Sequence, residues 1–243
     1  MNRPLWLMVI LLGCAIFPLA SYLARTTAQP QQSSTATSGA ASATSTGVPL
    51  DPAIADSPEF EDAAAEQVRM NQQCRGCNLR GKDFSNADWS RVDWREADLQ
   101  QANLQGAKFI NGVLTGAKLQ GANLTYAHGY GADLKQTDLR RADLRWGHFL
   151  NMSLSRSDLR EAQLDEAELR DADLTFANLS HASLQKTSFY GAELREADLS
   201  HANLRGADLR YADLLRANLS HADLAGAKLD HAILPDGTEV TPQ

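Results

Sequence analysis

The chain has 243 residues, of which 43% are hydrophobic and 22% are charged, and its formal net charge is −7 at pH 7. Residues 74–234 hold 22 acidic and 20 basic residues, so most of the negative charge lies near the two ends. Such a balanced segment has neither the dense anionic surface of a DNA mimic nor the basic stripe of a nucleic-acid binder. We therefore expect no nucleic-acid partner.

Residues 1–24 predict a targeting segment. Arg3 precedes an apolar stretch over residues 5–24, and twenty helical residues span about 30 Å, the thickness of a bilayer core. Three interpretations stay open: an uncleaved anchor, a cleaved signal peptide, and a lipoprotein signal at Leu11-Leu12-Gly13-Cys14. Each predicts an extracytoplasmic location, on the periplasmic or lumenal side, either anchored to the inner membrane or secreted after cleavage.

Two further segments precede the rest of the chain. Residues 25–56 are rich in Ser, Thr and Ala, become acidic towards their end, and predict a disordered linker. Residues 57–73 predict a capping helix, because Ser57 suits the N-cap, Pro58 suits the first turn, and acidic residues follow. Such a helix would cover the open edge of the structure that comes after it.

A five-residue period governs the chain from Leu79 to Leu234. Leu, Phe or Trp occupies 31 of the 32 positions spaced by five, and Gly129 is the exception. A small residue, usually Ala, lies two positions earlier, with Asp or Asn commonly between them. This period fits neither a helix nor a flat strand. It does fit one side of a polygonal coil in which the large and small residues face inward.

A longer repeat indicates how many sides close one coil. The run Leu179-Ser180-His181-Ala182 returns at residues 199–202 and again at 219–222, a super-period of four five-residue units. Four sides per coil give eight coils, about 38 Å long at the usual spacing of stacked strands. The predicted fold is an all-β solenoid, a quadrilateral parallel β-helix over residues 74–234, closed by a turn and tail at 235–243.

Runs such as Ala207-Asp208-Leu209-Arg210-Tyr211 and Ala222-Asp223-Leu224-Ala225-Gly226 resemble the pentapeptide repeat family. The resemblance covers about two-thirds of the chain. It implies a right-handed quadrilateral β-helix. Members of the family include DNA-mimicking proteins that bind gyrase, so a topoisomerase or gyrase inhibitor remains an alternative function.

Cys74 and Cys77 lie where the repeats begin and should both point inward at the first corner. For an exported chain we predict a disulfide that locks the cap to the first coil. Two alternatives remain, namely a pair of small buried thiols and a redox-active or metal-binding pair.

Outward positions separated by one super-period form columns, and one side of the coil collects large side chains. We define the binding patch as Ile110, Tyr126, His128, Tyr130, Trp146, His148, Leu150 and Tyr190. One interpretation is that inner Phe residues compensate for Gly129 while the outer rings cover a dent. The other is a docking surface for a protein or glycan, with Trp146 as its anchor.

His181, His201 and His221 form a second column, which we call the imidazole column. Neighbouring imidazoles about 4.8 Å apart could share a Zn²⁺ or Cu²⁺ ion. We expect instead that repeat duplication carried a solvated histidine along, because no carboxylate in that column completes a site. No metal and no other cofactor are expected.

The sequence also predicts a protein without catalytic residues, because the recurring Asp residues are turn formers and a narrow core filled by Leu leaves no substrate cavity. The leading hypothesis is an exported, membrane-tethered rigid scaffold that binds a protein or glycan of the cell envelope. A passive structural rod is a further alternative. Expected partners are the membrane, through the N-terminal segment, the envelope component, and a second copy through the coil ends.

Overall fold

The computed structural model describes residues 73–242, and over this range the backbone winds into stacked coils. Parallel bridges join each bridge residue to the equivalent residue that lies four five-residue units later in the chain. The first bridge pairs Gln73 with Asp93, and the last pairs Asp213 with Ile233. Four five-residue sides therefore close each coil, and eight coils follow from residue 73 to residue 232. The four-sided β-solenoid predicted from the super-period is confirmed.

Each strand of this solenoid is a single bridge residue, and residues 73–242 contain no α-helix. Two hydrogen bonds hold each side to its neighbours. The Leu99 amide donates to the carbonyl of Lys118 over 2.7 Å, and the Lys118 amide donates back to the carbonyl of Ala97 over 2.9 Å. The same pair of bonds recurs from coil to coil, so the backbone of each wall is tied along the long axis.

Every corner is a β-turn that runs from one large residue to the next small one. The Val92 amide donates to the carbonyl of Trp89 over 3.0 Å, and equivalent bonds close most of the other corners. The third turn residue has a positive φ at every corner from Gly76 to His231, as a type II turn requires. Twenty-three of these residues are not glycine, although L-residues disfavour this region.

The Asp and Asn residues at bridge positions cap these corners. Their side-chain oxygen accepts a hydrogen bond from the amide two residues later, as in Asp198 to Ser200 over 3.0 Å. Where Arg lies two residues after Asp, the second carboxylate oxygen also binds the guanidinium. This double contact joins Asp93–Arg95, Asp138–Arg140, Asp143–Arg145, Asp158–Arg160 and Asp208–Arg210. The preference for Asp and Asn at this position thus follows from corner closure.

The large and small residues fill one continuous column inside the four walls, and Gly129 is the only large-residue position without a large side chain between Leu79 and Leu214. Phe109 and Phe149, whose backbones lie one coil to either side of Gly129, lean towards each other until their ring centroids are 6.3 Å apart. A Cβ atom at Gly129 would overlap Met152 Cε and Phe109 Cε2. Neighbouring side chains therefore fill the gap from inside.

The first coil ends in an aromatic plug and a disulfide. Phe84, Trp89 and Trp94 pack with centroids 5.3–5.4 Å apart. Cys74 and Cys77 are bonded across a four-residue corner, with their Cα atoms 5.4 Å apart. The bond therefore lies within the first corner, and its predicted role in locking the capping helix falls on residues outside the described range.

The last coil is covered on one side only. The Leu234 amide donates to the carbonyl of Thr238, and Ile233 pairs antiparallel with Glu239, so a short hairpin folds over this side. The large residues of the other three sides, Leu219, Leu224 and Leu229, are partly exposed.

The targeting segment over residues 1–24, the linker over 25–56 and nearly all of the predicted capping helix lie outside the described residues. Gln73, the last residue of that predicted helix, is a bridge residue. Within residues 73–242 we find no helix with the length and hydropathy needed to cross a bilayer.

Candidate functional site

All eight residues of the binding patch lie on one side of the solenoid, which we call the aromatic face. It consists of the outward positions 86, 88 and 90 and their equivalents on each later coil up to position 230. Tyr126, His128 and Tyr130 belong to one coil, and Trp146, His148 and Leu150 lie directly over them on the next. Ile110 lies one coil before this group, and Tyr190 lies two coils after it.

The rings at the centre of the patch stack along the solenoid axis. Tyr126 and Trp146 have centroids 5.1 Å apart at 11° between planes, and His128 and His148 are 5.1 Å apart at 12°. Since atoms in contact lie about 3.5–4 Å apart, this separation indicates offset stacking in which each ring leaves part of its face open. The column position before Tyr126 is Gly106, which has no side chain, and Tyr126 is 49% exposed whereas Trp146 is 36% exposed.

Tyr190 extends the aromatic face towards the C-terminal coils. Its ring packs 5.1 Å from Tyr211, and the guanidinium of Arg210 lies 5.5 Å from its centroid. Tyr211 is half exposed and was missed from the sequence, because its column belongs to the next side of the coil. Arg210 and Tyr211 are consecutive residues of one corner. Because Arg210 lies directly over Tyr190, this adjacency in the sequence could have indicated that Tyr211 lies near Tyr190.

The aromatic face is electrically balanced. Its outward positions carry five acidic and five basic residues, namely Asp88, Glu166, Glu168, Asp208 and Asp230 against Lys108, Arg170, Lys186, Arg210 and Lys228. The six central positions, on the two coils with Tyr126 and Trp146, carry no Asp, Glu, Lys or Arg. Burial lowers the pKa of His128, and the neighbouring His148 and Lys108 lower it further. His128 is therefore neutral at pH 7.

A shallow groove lies on the same face beyond the central rings. Glu168, Arg170, Ser188, Tyr190, Asp208 and Arg210 line a volume of about 350 Å³. Arg170 binds Glu168 over 3.2 Å and Arg210 binds Asp208 over 2.6 Å. Ser188 is the small residue between Glu168 and Asp208 in their column, which leaves the space open. The groove offers carboxylates, guanidinium groups and one ring, all fixed by the corners.

The imidazole column is a stack of parallel rings. His181 and His201 have centroids 4.8 Å apart at 1°, and His201 and His221 are 4.8 Å apart at 16°. Parallel rings direct their nitrogen lone pairs side by side rather than to one point, and residues 73–242 contain no group of three or more His, Cys, Asp or Glu arranged to hold a metal ion.

One carboxylate does share the imidazole column. Glu161 lies one coil before His181 in the same column, and its negative charge interacts with that histidine. Arg141 engages Glu161 through a 2.8 Å ion pair and lowers the pKa of the carboxyl group. The carboxylate is therefore occupied by a guanidinium.

One exposed ring lies away from the aromatic face. Phe176 is 42% exposed at a corner of another side, and the guanidinium of Arg156 lies 4.5 Å from its centroid. It has the same positive-φ backbone as Tyr126 and Trp146. Phe176 is therefore a matched position for testing what is special about the aromatic face.

A four-sided solenoid with a closely packed core and chemically varied outer columns defines a repeat scaffold. The family model for pentapeptide repeats matches residues 77–116, 113–145, 137–175, 172–210 and 197–234, in eight copies. The chain belongs to the pentapeptide repeat family, whose fold is a right-handed β-helix. The resemblance inferred from its repeats is confirmed.

Several solved structures are similar to this chain. HetL, a pentapeptide repeat protein involved in heterocyst differentiation regulation from Nostoc sp. strain PCC 7120, is 28% identical, with 72% of this chain and 97% of HetL covered and a TM-score of 0.32. Trypsin-treated QnrB1, a plasmid-mediated fluoroquinolone resistance protein, is 20% identical over 64% of this chain and 91% of its own, with a TM-score of 0.48. A pentapeptide repeat protein from the Arabidopsis thaliana thylakoid lumen is 31% identical, with 54% of this chain and 70% of that protein covered and a TM-score of 0.18. No curated protein sequence matches this chain significantly.

Proposed function

We propose that this protein is a non-enzymatic, exported scaffold, tethered to a membrane through residues 5–24, whose aromatic face binds a component of the cell envelope. The observation that carries the proposal is the group of exposed rings formed by Tyr126, Tyr130 and Trp146 on one face. Contiguous exposed aromatic side chains on a folded protein are typical of interaction surfaces.

The interior packing favours binding over a purely structural role for these rings. Phe109, Phe149 and Met152 fill the gap at Gly129 from inside, so no dent remains for outer rings to cover. Tyr126 keeps about half of its surface exposed despite its contact with Trp146. Large apolar groups held in water in this way are available to a ligand.

The rigidity of the scaffold supports the same function. The positive-φ corners and the coil-to-coil hydrogen bonds fix the backbone beneath Tyr126 and Trp146. Each ring also restricts the other by stacking. Little conformational entropy is then lost when a ligand docks, which improves affinity without added contact area.

The alternative of a DNA-mimicking gyrase inhibitor has less support from the surface charges. The carboxylates that have Arg two residues later are paired with guanidinium groups over 2.5–2.7 Å, as in Asp93–Arg95 and Asp158–Arg160. A mimic of the phosphate backbone needs a run of unpaired negative charges. These columns present ion pairs instead.

Two measurements on the full-length chain test the proposal. Protease added to spheroplasts, in which the outer barrier is opened and the inner membrane is intact, should remove the repeats, whereas a cytoplasmic marker protein stays intact. Tagged wild-type protein should retain an envelope component that the double variant Trp146→Ala/Tyr130→Ala no longer retains, and Phe176→Ala should behave as wild type. Equal retention by the double variant would overturn the binding role, and protected repeats would overturn export.

A further inference from the structure

We infer that the aromatic face binds a neutral, linear polysaccharide. The inference rests on the proposed function and names the chemistry of its ligand. The strip that would bind it runs from Ile110, through the stacked rings of Tyr126 and Trp146, to the groove beside Tyr190.

The dimensions of the strip suit an extended chain. Between the coil of Ile110 and the coil of Arg210 there are five steps, or about 24 Å at the usual spacing. One side is five residues wide, at most about 17 Å for an extended backbone. The resulting area of roughly 400 Å² is about half of the 800 Å² that each partner buries in a standard protein–protein interface. A long, narrow ligand fits this strip better than a globular surface does.

The backbone of this face leaves no edge for an extended peptide. The bridge amides of His128 and His148 donate to the carbonyls of Ala107 and Ala127, and the Gly129 amide donates to the carbonyl of His148. Strand addition, by which proteins commonly bind extended peptides, requires a row of free backbone groups. The bonded bridge amides leave no such row on this strip.

The side chains of the strip match the two surfaces of a sugar. A pyranose ring presents an apolar C–H surface that packs on an aromatic face, and its hydroxyl groups both donate and accept hydrogen bonds. Tyr126 is 49% exposed, and the residue one coil before it in its column is Gly106, which has no side chain. In the groove, Glu168 and Asp208 can accept from hydroxyl groups, while Arg170 and Arg210 can donate to them.

The charges of the aromatic face favour a neutral polymer. Five acidic and five basic residues balance one another along the face. None of them lies on the two central coils, where the guanidinium of Arg145, 5.0 Å from the Trp146 centroid, is paired with Asp143. A polyanion or polycation lying along this strip would meet repulsion and attraction in equal measure. A neutral chain loses nothing by this balance.

Affinity gel electrophoresis of the full-length chain in mild detergent tests the inference with defined probes. Hydroxyethylcellulose, glucomannan and soluble starch are the neutral polymers, and alginate is the anionic control. At least one neutral polymer should retard the wild-type protein, and alginate should not. Tyr126→Ala and Trp146→Ala should each weaken the retarding interaction about tenfold or more.

Two matched variants control for folding and for exposed aromatic rings in general. Phe176→Ala removes a corner ring on another side and should leave retardation unchanged. Ser188→Phe fills the groove from an outward position and should weaken retardation while the circular dichroism spectrum and melting temperature stay as in wild type. If none of the neutral polymers retards the wild-type protein, or if Tyr126→Ala and Trp146→Ala bind as wild type does, the inference is overturned.

The envelope component retained by the wild-type protein separates this inference from the broader proposal. Retention that survives protease treatment of the envelope extract and is abolished by periodate oxidation supports a polysaccharide. Retention abolished by protease and unaffected by periodate overturns the polysaccharide while the scaffold function stands. Absence of any retained component overturns both.

Discussion

The wall that carries the aromatic face has two surfaces, and they follow different rules. On its inner surface Phe109 and Phe149 leave the levels of their own coils and lean together to 6.3 Å across Gly129. On its outer surface Tyr126 and Trp146 keep almost the coil spacing, with centroids 5.1 Å apart. The positions of the inner side chains are determined by the volume that they must fill, and those of the outer side chains by the spacing between coils. Outer residues can therefore change without repacking the fold, and those are the residues available for function.

The largest effect on stability should come from placing a large side chain at Gly129, where the inner column of large residues is interrupted. Gly129→Leu restores the five-residue period, but its side chain would overlap Phe109 and Met152. We expect destabilisation by about 1–3 kcal/mol or more, the cost of overpacking a filled core. Thermal melting of the full-length chain measures it.

A double variant sharpens this result. Phe109→Leu in the Gly129→Leu background frees the space that the new side chain needs, so the pair should recover much of the lost melting temperature. The two changes should therefore be strongly non-additive. A rise in melting temperature for Gly129→Leu alone would contradict the packing described for the inner surface.

The next largest effect should come from a corner cap on the outer surface. Asp208 accepts from the Arg210 amide over 3.3 Å and binds its guanidinium over 2.6 Å. Asp208→Ala removes both contacts and should cost about 1–2 kcal/mol. Asp208→Asn keeps an acceptor for the amide, so it should cost less than about 1 kcal/mol, the loss of a solvent-screened ion pair. Chemical denaturation at pH 7 compares them, and equal losses would contradict the capping role.

The same pair predicts a dependence on pH. The guanidinium of Arg210 lowers the pKa of Asp208 below its ordinary value of 3.8. The stability contributed by the ionised carboxylate is present above pH 3.8 and is lost as the pH falls through the lower pKa of the folded state. The difference between wild type and Asp208→Asn should therefore shrink in acid.

A smaller effect should come from the positive φ angle of an exposed corner residue. Gln136 has φ of 57° and is exposed. Gln136→Gly relieves the strain of this conformation but increases the entropy of the unfolded chain, so we expect stabilisation of at most about 1 kcal/mol. Gln136→Val, with a β-branched side chain, should destabilise by about 1 kcal/mol or more. Melting temperatures in the reverse order would show that the corner tolerates branching.

The smallest effect should come from protonation within the patch. Burial lowers the pKa of His128 below its ordinary 6.5, so the folded state binds a proton less readily than the unfolded state does. Stability should fall as the pH decreases from 6.5 through the lower folded-state pKa. His128→Gln should lose less stability over this range, and Leu150→Gln, a non-titrating neighbour, should lose as much as wild type. A wild-type-like profile for His128→Gln would contradict burial of the imidazole.

Most of the fold could be predicted from the five-residue repeat. Large residues every fifth position and the return of the run from Leu179 at residues 199 and 219 were enough to predict four sides and the sharing of one face by Tyr126 and Trp146. The prediction is possible because each coil repeats the one before it, so the separation of two residues in the sequence gives their relative positions on the solenoid. The interpretation that inner Phe residues compensate for Gly129 is also in agreement with the packing of Phe109 and Phe149.

Contacts that cross a corner could not be read from the columns. Tyr190 packs against Tyr211, which belongs to a different side, with ring centroids 5.1 Å apart. The groove around Ser188 depends on how Arg170 and Arg210 fold back onto their own carboxylates. Side-chain torsions decide both, and the five-residue pattern contains no information about them.

Because one coil closes after four five-residue units, the length of an insertion decides its consequence for the outer surface. Adding four units between Trp146 and Tyr190 would lengthen the molecule and leave both on one side. Adding a single unit would keep the interior equally well filled, yet turn everything beyond the insertion by a quarter revolution and move Tyr190 to an adjacent side. A single five-residue duplication can thus move the outer residues of all later coils to a neighbouring side, with little change in the stability of the fold.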